Sequence, residues 1–222
     1  MLRSRLLSPA LVLLVAVGGL RAADPAGTAA DPVIDSKMTA AEALDGLDPA
    51  CPQEIRDRQA VVTVLYWGFD DKVHRGQLVI DADLERDVQE VFAVALKHRF
   101  PVRSVVPISH PAYRKDRAWD DGRSMAANNT SGFNYRPVTG GTALSNHARG
   151  RALDLNPLLN PYVKGDTTLP PGAKYDPAVR GTLTADHPVT RAFLDRGWTW
   201  GGTWKSLKDY QHFERVAGGP TD

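Results

Sequence analysis

The stretch from Ser145 to Pro157, SNHARGRALDLNP, sets a histidine, His147, and a carboxylate, Asp154, seven residues apart with a turn and an apparent strand between them. Gly150 lets the chain turn sharply after His147. From Arg151 to Asn156 polar and apolar side chains alternate with a period near two. This reads as a half-buried strand with Asp154 and Asn156 on one face and Leu153 and Leu155 on the other. A carboxylate set between two leucines is costly to bury unless positive charge sits against it, and a divalent ion meets that need. Metal-ligand chemistry is therefore the first expectation.

The chain has six histidines. A catalytic zinc site commonly takes three protein ligands from histidine and carboxylate and keeps a fourth position for water. His74 falls in a hairpin loop, His98 near a helix end where a cation suits the dipole, His110 before Pro111 and His187 before Pro188. Each of these has an ordinary structural explanation. His212, flanked by Tyr210 and Phe213, has Asp209 three residues before it, so a base would arrive with the ligand. On these residues alone His212 reads either as structural or as a third ligand.

The elements that must position these groups are partly legible. Val61 to Trp67 is rich in β-branched and aromatic residues and reads as a strand. Gln77 to Ile80 is its hairpin partner and Phe69 to Arg75 the connecting loop. Asp81 or Asp83 caps a helix running to about His98, with Leu84, Val88, Val91, Phe92, Ala95 and Leu96 on one face. Val102 to Ile108 gives a further short strand. Residues 109–143 lack a periodic segment. A loop of that length with Tyr113, Trp119, Asn128, Asn129, Phe133, Asn134 and Tyr135 is expected to be ordered and functional. Residues 156–186 read as a second, proline-rich loop, His187 to Arg196 as a short helix ended by Gly197, and Trp198 to Trp200 and the residues before Glu214 as strands. The whole suggests an α+β fold in which a small antiparallel sheet carries the ligands and helices pack on one face.

At the N-terminus, Arg3 and Arg5 precede an apolar run ending in Leu20-Arg21-Ala22-Ala23, the pattern of a secretory signal over residues 1–22. That implies an exported protein, periplasmic or extracellular, with no stable membrane insertion after cleavage. Residues 23–45 read as a flexible leader, 46–217 as the domain and 218–222 as a tail. Without its first 22 residues the chain keeps 24 basic against 26 acidic side chains, a balance of about −2 that argues against nucleic acid as a partner. Cys51 is the single cysteine, which excludes an intrachain disulfide and a cysteine-built zinc site. It reads as a small buried or interfacial thiol.

SNHARGRALDL followed some fifty residues later by DYQHFE resembles the two zinc-binding motifs of the M15 metallopeptidases, the D-alanyl-D-alanine carboxypeptidases, dipeptidases and L-alanyl-D-glutamate endopeptidases of bacterial cell walls. The resemblance extends over GQLVI, NNTSGFNYR and GWTWGGTW. It implies that His147, Asp154 and His212 bind Zn2+, that Asp209 is the catalytic acid or base, that Arg136 is catalytic or aimed at the substrate, and that Ser145 hydrogen-bonds substrate or a ligand. It also implies a fold like that of the D-Ala-D-Ala peptidases and the hedgehog signalling domain, and peptidoglycan stem peptides as substrates of a protein expected to be a monomer. Gln211 departs from the tryptophan or proline of many relatives, which bears on the shape of the pocket. Arg114 and Arg123 are further candidates for binding a terminal carboxylate, and Trp198, Trp200 and Trp204 belong either to the cleft or to the core. The leading expectation is a D-alanyl-D-alanine carboxypeptidase. The alternatives are an L-alanyl-D-glutamate endopeptidase and a noncatalytic zinc-stabilised cell-wall-binding module.

Overall fold

The computed structural model describes residues 27–216. The signal segment 1–22 and the tail 218–222 lie outside those residues. Residues 27–45, expected as a flexible leader, are instead folded onto the domain. They contribute β1 (Val33–Ile34) and α1 (Ala40–Ala43), whose start is closed by a capping box between Thr39 and Glu42. After α2 (Gln53–Arg56) come β2 (Gln59–Trp67) and β3 (Val73–Asp81), an antiparallel pair whose other edge is taken by β1, parallel to β3. The expected loop at 69–75 is shorter than the sequence suggests. His74 and Arg75 are strand residues because β1 pairs with them on one side and β2 on the other. Asp35 and Asp70 also clamp the two nitrogens of His74 at 2.8 and 2.9 Å.

Val62, Val64 and Tyr66 alternate inward from β2 and meet α3 (Glu85–Lys97), which begins after a short 3-10 turn capped by Asp81. The apolar stripe of that helix is buried at Leu84, Val88, Val91, Phe92 and Ala95. At roughly 1.5–3 kcal/mol per buried large apolar side chain, this contact outweighs any intrinsic helix propensity. The expected strand from Val102 to Ile108 shrinks to β4 (Ser104–Val105). Its ladder ends there because the Asn129 side chain takes over both backbone groups of Val106, at 3.1 and 2.9 Å.

Residues 109–143 hold short elements rather than one loop: β5 (Arg114–Lys115) and β6 (Ala118–Trp119) form a hairpin, α4 (Asp121–Ala126) is capped by Asp120, and β7 (Asn129–Thr130) runs parallel to β4. Next comes the strand predicted around Asp154, β8 (Ala152–Asp154). It is buried on both faces, not half-buried. Its polar side turns inward, and Asn156 with Asn160 satisfies loop backbone at Arg103, Pro101, Gly181 and Leu183. The proline-rich segment contains a hairpin of β9 (Tyr162–Lys164) and β10 (Thr167–Leu169). Then follow α5 (Pro188–Leu194), β11 (Thr199–Trp200), β12 (Lys208–Asp209) and β13 (His212–Glu214).

The α+β reading therefore holds, but the single small sheet does not: the described residues form three three-stranded sheets and two two-stranded ones, and the main core lies between β2–β3, α3, α5 and the β11–β13–β8 sheet. In that core Leu153, Phe213 and Trp200 from the β11–β13–β8 sheet meet Val189 and Phe193 of α5 and the stripe of α3. Among the described residues no helix is long and apolar enough to cross a membrane.

Gly150 joins this scaffold to the ligand turn. It sits at φ 68° between the 3-10 turn Asn146–Arg149 and β8, and its carbonyl accepts from Asp81 N at 2.8 Å. A Cβ there would stand 2.6 Å from Asp81 N and 2.1 Å from Gln59 Oε1. Gly150→Ala is expected to cost about 2–4 kcal/mol, the left-handed backbone penalty plus local overpacking. Urea unfolding measures it, and a loss below about 0.5 kcal/mol would contradict the packing described.

Candidate metal centre

Strands β8 and β13 are antiparallel neighbours with Asp154 directly opposite His212. Cross-strand partners project to the same face, so the ladder itself brings these two side chains together. Asp154 is held on its other edge too, where its N–H and C=O bond the backbone of Ser131 at 2.9 and 3.1 Å. His147 comes from the 3-10 turn, whose capping residue, Ser145, accepts the His147 N–H on its hydroxyl at 3.2 Å. Ser145 also lines the cleft, but its visible bond serves the backbone of His147.

The three side chains converge. His147 Nε2 stands 3.2 Å from His212 Nδ1 and 3.2 Å from Asp154 Oδ1, and those last two atoms are 3.1 Å apart. They form the one group of metal-ligand type among the described residues, and all three are almost fully buried. A tetrahedral ion with bonds of about 2.0–2.1 Å spaces its ligand atoms roughly 3.3 Å apart, so this triangle matches three corners of such a site.

The partners of the outer nitrogens set the chemistry of the inner ones. His147 Nδ1 lies 2.7 Å from the Gly132 carbonyl, which can only accept, so Nδ1 carries a proton and Nε2 is the nitrogen left to face the other two side chains. His212 Nε2 donates to Glu214 Oε2 at 3.0 Å, an oxygen that also accepts from Asn146 Nδ2 at 2.7 Å. The bond from His212 holds the Glu214 carboxyl below its usual range, which secures it as an acceptor. Two imidazole nitrogens and a carboxylate oxygen thus face one point, and once His212 gives up its Nδ1 proton the set is one that holds a cation.

Electrostatics agree. Burial opposes ionisation of Asp154, but the charge of His147 and hydrogen bonds from both histidines overcome it and hold the carboxyl far below the ordinary range. Burial likewise disfavours a charged His212, yet its bonds to Asp154 and Glu214 prevail and push it up to about 10. Asp209 behaves in the opposite way: burial and the neighbouring Asp154 carboxylate raise it to about 7. Its Oδ1 is buried without a hydrogen-bond partner among the described residues. A cation among the three ligands would draw Asp209 back down.

Asp209 reaches the same cleft, of about 300 Å³, from β12, which pairs with β9 so that Asp209 faces Tyr162. Gly201 makes room for it, since a Cβ there would lie 2.5 Å from the Asp209 carbonyl. Arg136 lines the cleft with its Nε 2.9 Å from Asp121, whose second oxygen accepts from Asn134 at 3.0 Å. Arg114 and Arg123 do not line it: they are spent on Asp45 and Ser109 O, and on Asp120 and Arg114 O. The cations of the cleft besides histidine are Arg136 and Lys164. Trp204 borders the cleft 5.4 Å from the His212 ring, whereas Trp198 and Trp200 are core. Gln211 lines it as a buried amide with Nε2 3.9 Å from Met125 Sδ.

The remaining histidines have structural duties: His110 and His187 cap helices through Nδ1, His74 is clamped by carboxylates, and His98 closes α3. Cys51 is a buried thiol whose pKa burial pushes up, packed with Ala43, Val79 and Phe133. Sequence reasoning missed Glu214 and the Gly132 carbonyl. Glu214 carried a weak signal, two residues from His212 on one strand and so on one face. A backbone carbonyl carries none.

The raised pKa of His212 sets the pH dependence of ion binding. A proton stays on His212 through neutral pH and leaves only near pH 10, so an entering ion must displace it. Metal affinity is therefore expected to rise at least about tenfold per pH unit between about pH 6 and pH 8, with about one proton released per ion from His212 and, below about pH 7, up to one more from Asp209. Chelator competition and calorimetry in buffers of different ionisation enthalpy read this, and a flat affinity would contradict the ligand assignment.

The M15 peptidase family model described as D-alanyl-D-alanine carboxypeptidase matches residues 139–215. No curated protein and no solved structure matches the chain. That segment supplies all three converging side chains and Asp209, and over it the chain is similar to the M15 peptidase family.

Proposed function

We propose that the protein is a zinc-dependent peptidase acting on peptidoglycan stem peptides, as a D-alanyl-D-alanine carboxypeptidase. The observation that carries this is the buried triangle of His147, Asp154 and His212 beside a carboxylate, Asp209, with an unpartnered buried oxygen, all opening on one cleft. The match of residues 139–215 to the carboxypeptidase model supports the substrate class. A purely structural metal site would have no use for Asp209.

His147, Asp154 and His212 would hold the ion, with Gly132 O and Glu214 fixing the two imidazoles. The donor set of two nitrogens and one oxygen suits zinc, which supplies Lewis acidity toward the scissile carbonyl and acidifies water at its open position. Asp209 Oδ1 takes the proton of the attacking water and delivers it to the leaving amine nitrogen. Its partnerless oxygen is free for that proton, and its burial keeps its proton affinity above that of an exposed carboxylate beside the same ion. Arg136, pinned by Asp121, offers a preorganised cation to the carbonyl oxygen on which charge develops. Lys164 is the remaining cation for a terminal carboxylate.

Export fits this substrate and rests on the basic, apolar and small-residue pattern of residues 1–22. A fold of the D-Ala-D-Ala peptidase and hedgehog type is part of the same proposal. A monomer as the acting unit is likewise part of the proposal.

Asp209→Asn should lower kcat by about 10²–10⁴ while metal content stays unchanged, since the amide cannot carry the proton. Mass spectrometry of muropeptides digested by both proteins tests this. Loss of a single D-alanine by the wild type is the expected product, and full activity in the variant would remove Asp209 from the mechanism.

A further inference from the structure

Gln211 has no task in that mechanism, yet it stands between Asp209 and His212 in the turn that joins β12 to β13. It is only 3% exposed and lines the cleft together with Met125 of α4. Its backbone carbonyl accepts from Leu155 N at 3.0 Å, one step beyond the ladder of β8 with β13. The side chain is thus carried by the same strand pairing that registers the metal ligands.

The amide it presents is short of partners. Nε2 lies 3.9 Å from Met125 Sδ, a weak acceptor, and Oε1 is buried with no hydrogen-bond partner among the described residues. Asp209 is the other neighbour: burial and Asp154 raise its carboxyl, while the two histidines and, as the smallest of these effects, the Gln211 side chain act against them. A sulfur and a carboxylate both accept, so turning the amide over would exchange its neighbours without giving its oxygen a donor. A buried amide oxygen left unpaired destabilises a fold, and proteins break that rule chiefly at functional sites.

We propose that Gln211 Oε1 accepts the N–H of the scissile amide and so holds the leaving nitrogen toward Asp209. The inference rests on the peptidase reading. Of the two backbone groups a peptide brings into a cleft, only its N–H satisfies an acceptor. The scissile N–H is the one that matches a residue two positions from Asp209, because Asp209 must reach the same nitrogen to protonate it. As the C–N bond breaks, that nitrogen takes the proton from Asp209 on its lone pair. Its original N–H becomes more polar and donates more strongly to Gln211, so the contact favours the transition state over the bound substrate.

Two analogues of the D-alanyl-D-alanine end test this, identical except at the scissile position: a phosphonamidate, which keeps the N–H, and a phosphonate ester, which has oxygen in its place. By calorimetry, zinc-loaded wild type is expected to bind the phosphonamidate about 10- to 100-fold more tightly, since the ester sets an oxygen against Gln211 Oε1. Gln211→Met keeps the length of the side chain and removes both polar atoms. In it the two analogues should bind within about threefold of each other, with metal content unchanged and kcat on a D-alanyl-D-alanine peptide lower by about tenfold or more at similar KM. A residue that merely supports the fold would weaken both analogues alike, and that result overturns the assignment. So does equal binding of the two by the wild type, or a preference that survives in Gln211→Met because water or a backbone carbonyl accepts instead. Should Gln211→Met not fold, Gln211→Leu gives the same comparison. Failure of both analogues to bind the wild type also overturns it, and whether the peptide is still cleaved then tells whether the peptidase reading falls with it.

Discussion

The pairing of β8 with β13 is the constraint on which the site depends. With Asp154 opposite His212, the flanking pair Leu153 and Phe213 faces the core, where both are fully buried. Side chains alternate along a strand, so a slip of one residue would send Leu153 and Phe213 toward the cleft and the two ligands into the hydrophobic interior. Burial of two large apolar groups, worth roughly 1.5–3 kcal/mol each, therefore holds the metal-ligand register as firmly as any contact within the site. The stacking of Phe213 on Phe193 at 4.0 Å and the double-sided bonding of Asp154 to Ser131 reinforce it.

On that frame the electrostatics divide the carboxylates by task. Asp154 lies between two imidazoles and stays ionised, Glu214 accepts from His212 and stays ionised, and Asp209, pressed against Asp154 without a cation of its own, holds its proton up to neutral pH. Groups of one type with environments that drive their proton affinities apart are what acid–base chemistry near neutrality requires. The cleft is thus differentiated by second partners rather than by residue type. A glycine carbonyl and a glutamate choose which imidazole nitrogen faces inward, and an aspartate at the start of α4 anchors the arginine that lines the entrance.

How much of this could be read beforehand follows from the range of the interactions. His147, Asp154, His212 and Asp209 stood out because their motifs are local in sequence, and α3 because its apolar stripe repeats every three or four residues. The strand pair β2–β3 was visible through its β-branched content, although its turn was placed too late. The folded state of residues 27–45 was hidden: its composition resembles a linker, and it is ordered by long-range contacts, Gln77 with Ser36 and Met38 and Asp45 with the β5–β6 hairpin. The strand of Asp154 read as half-buried because its inward asparagines serve backbone groups on distant loops, and no local pattern encodes that.

X-ray absorption at the metal edge of the purified protein tests the central claim most directly. The account predicts one zinc per chain with a first shell of about four nitrogen and oxygen atoms at about 2.0 Å, including two imidazoles, and loss of the imidazole scattering of one ring in His212→Ala. A shell of six oxygens, a shell containing sulfur, or protein that binds no stoichiometric metal would contradict it.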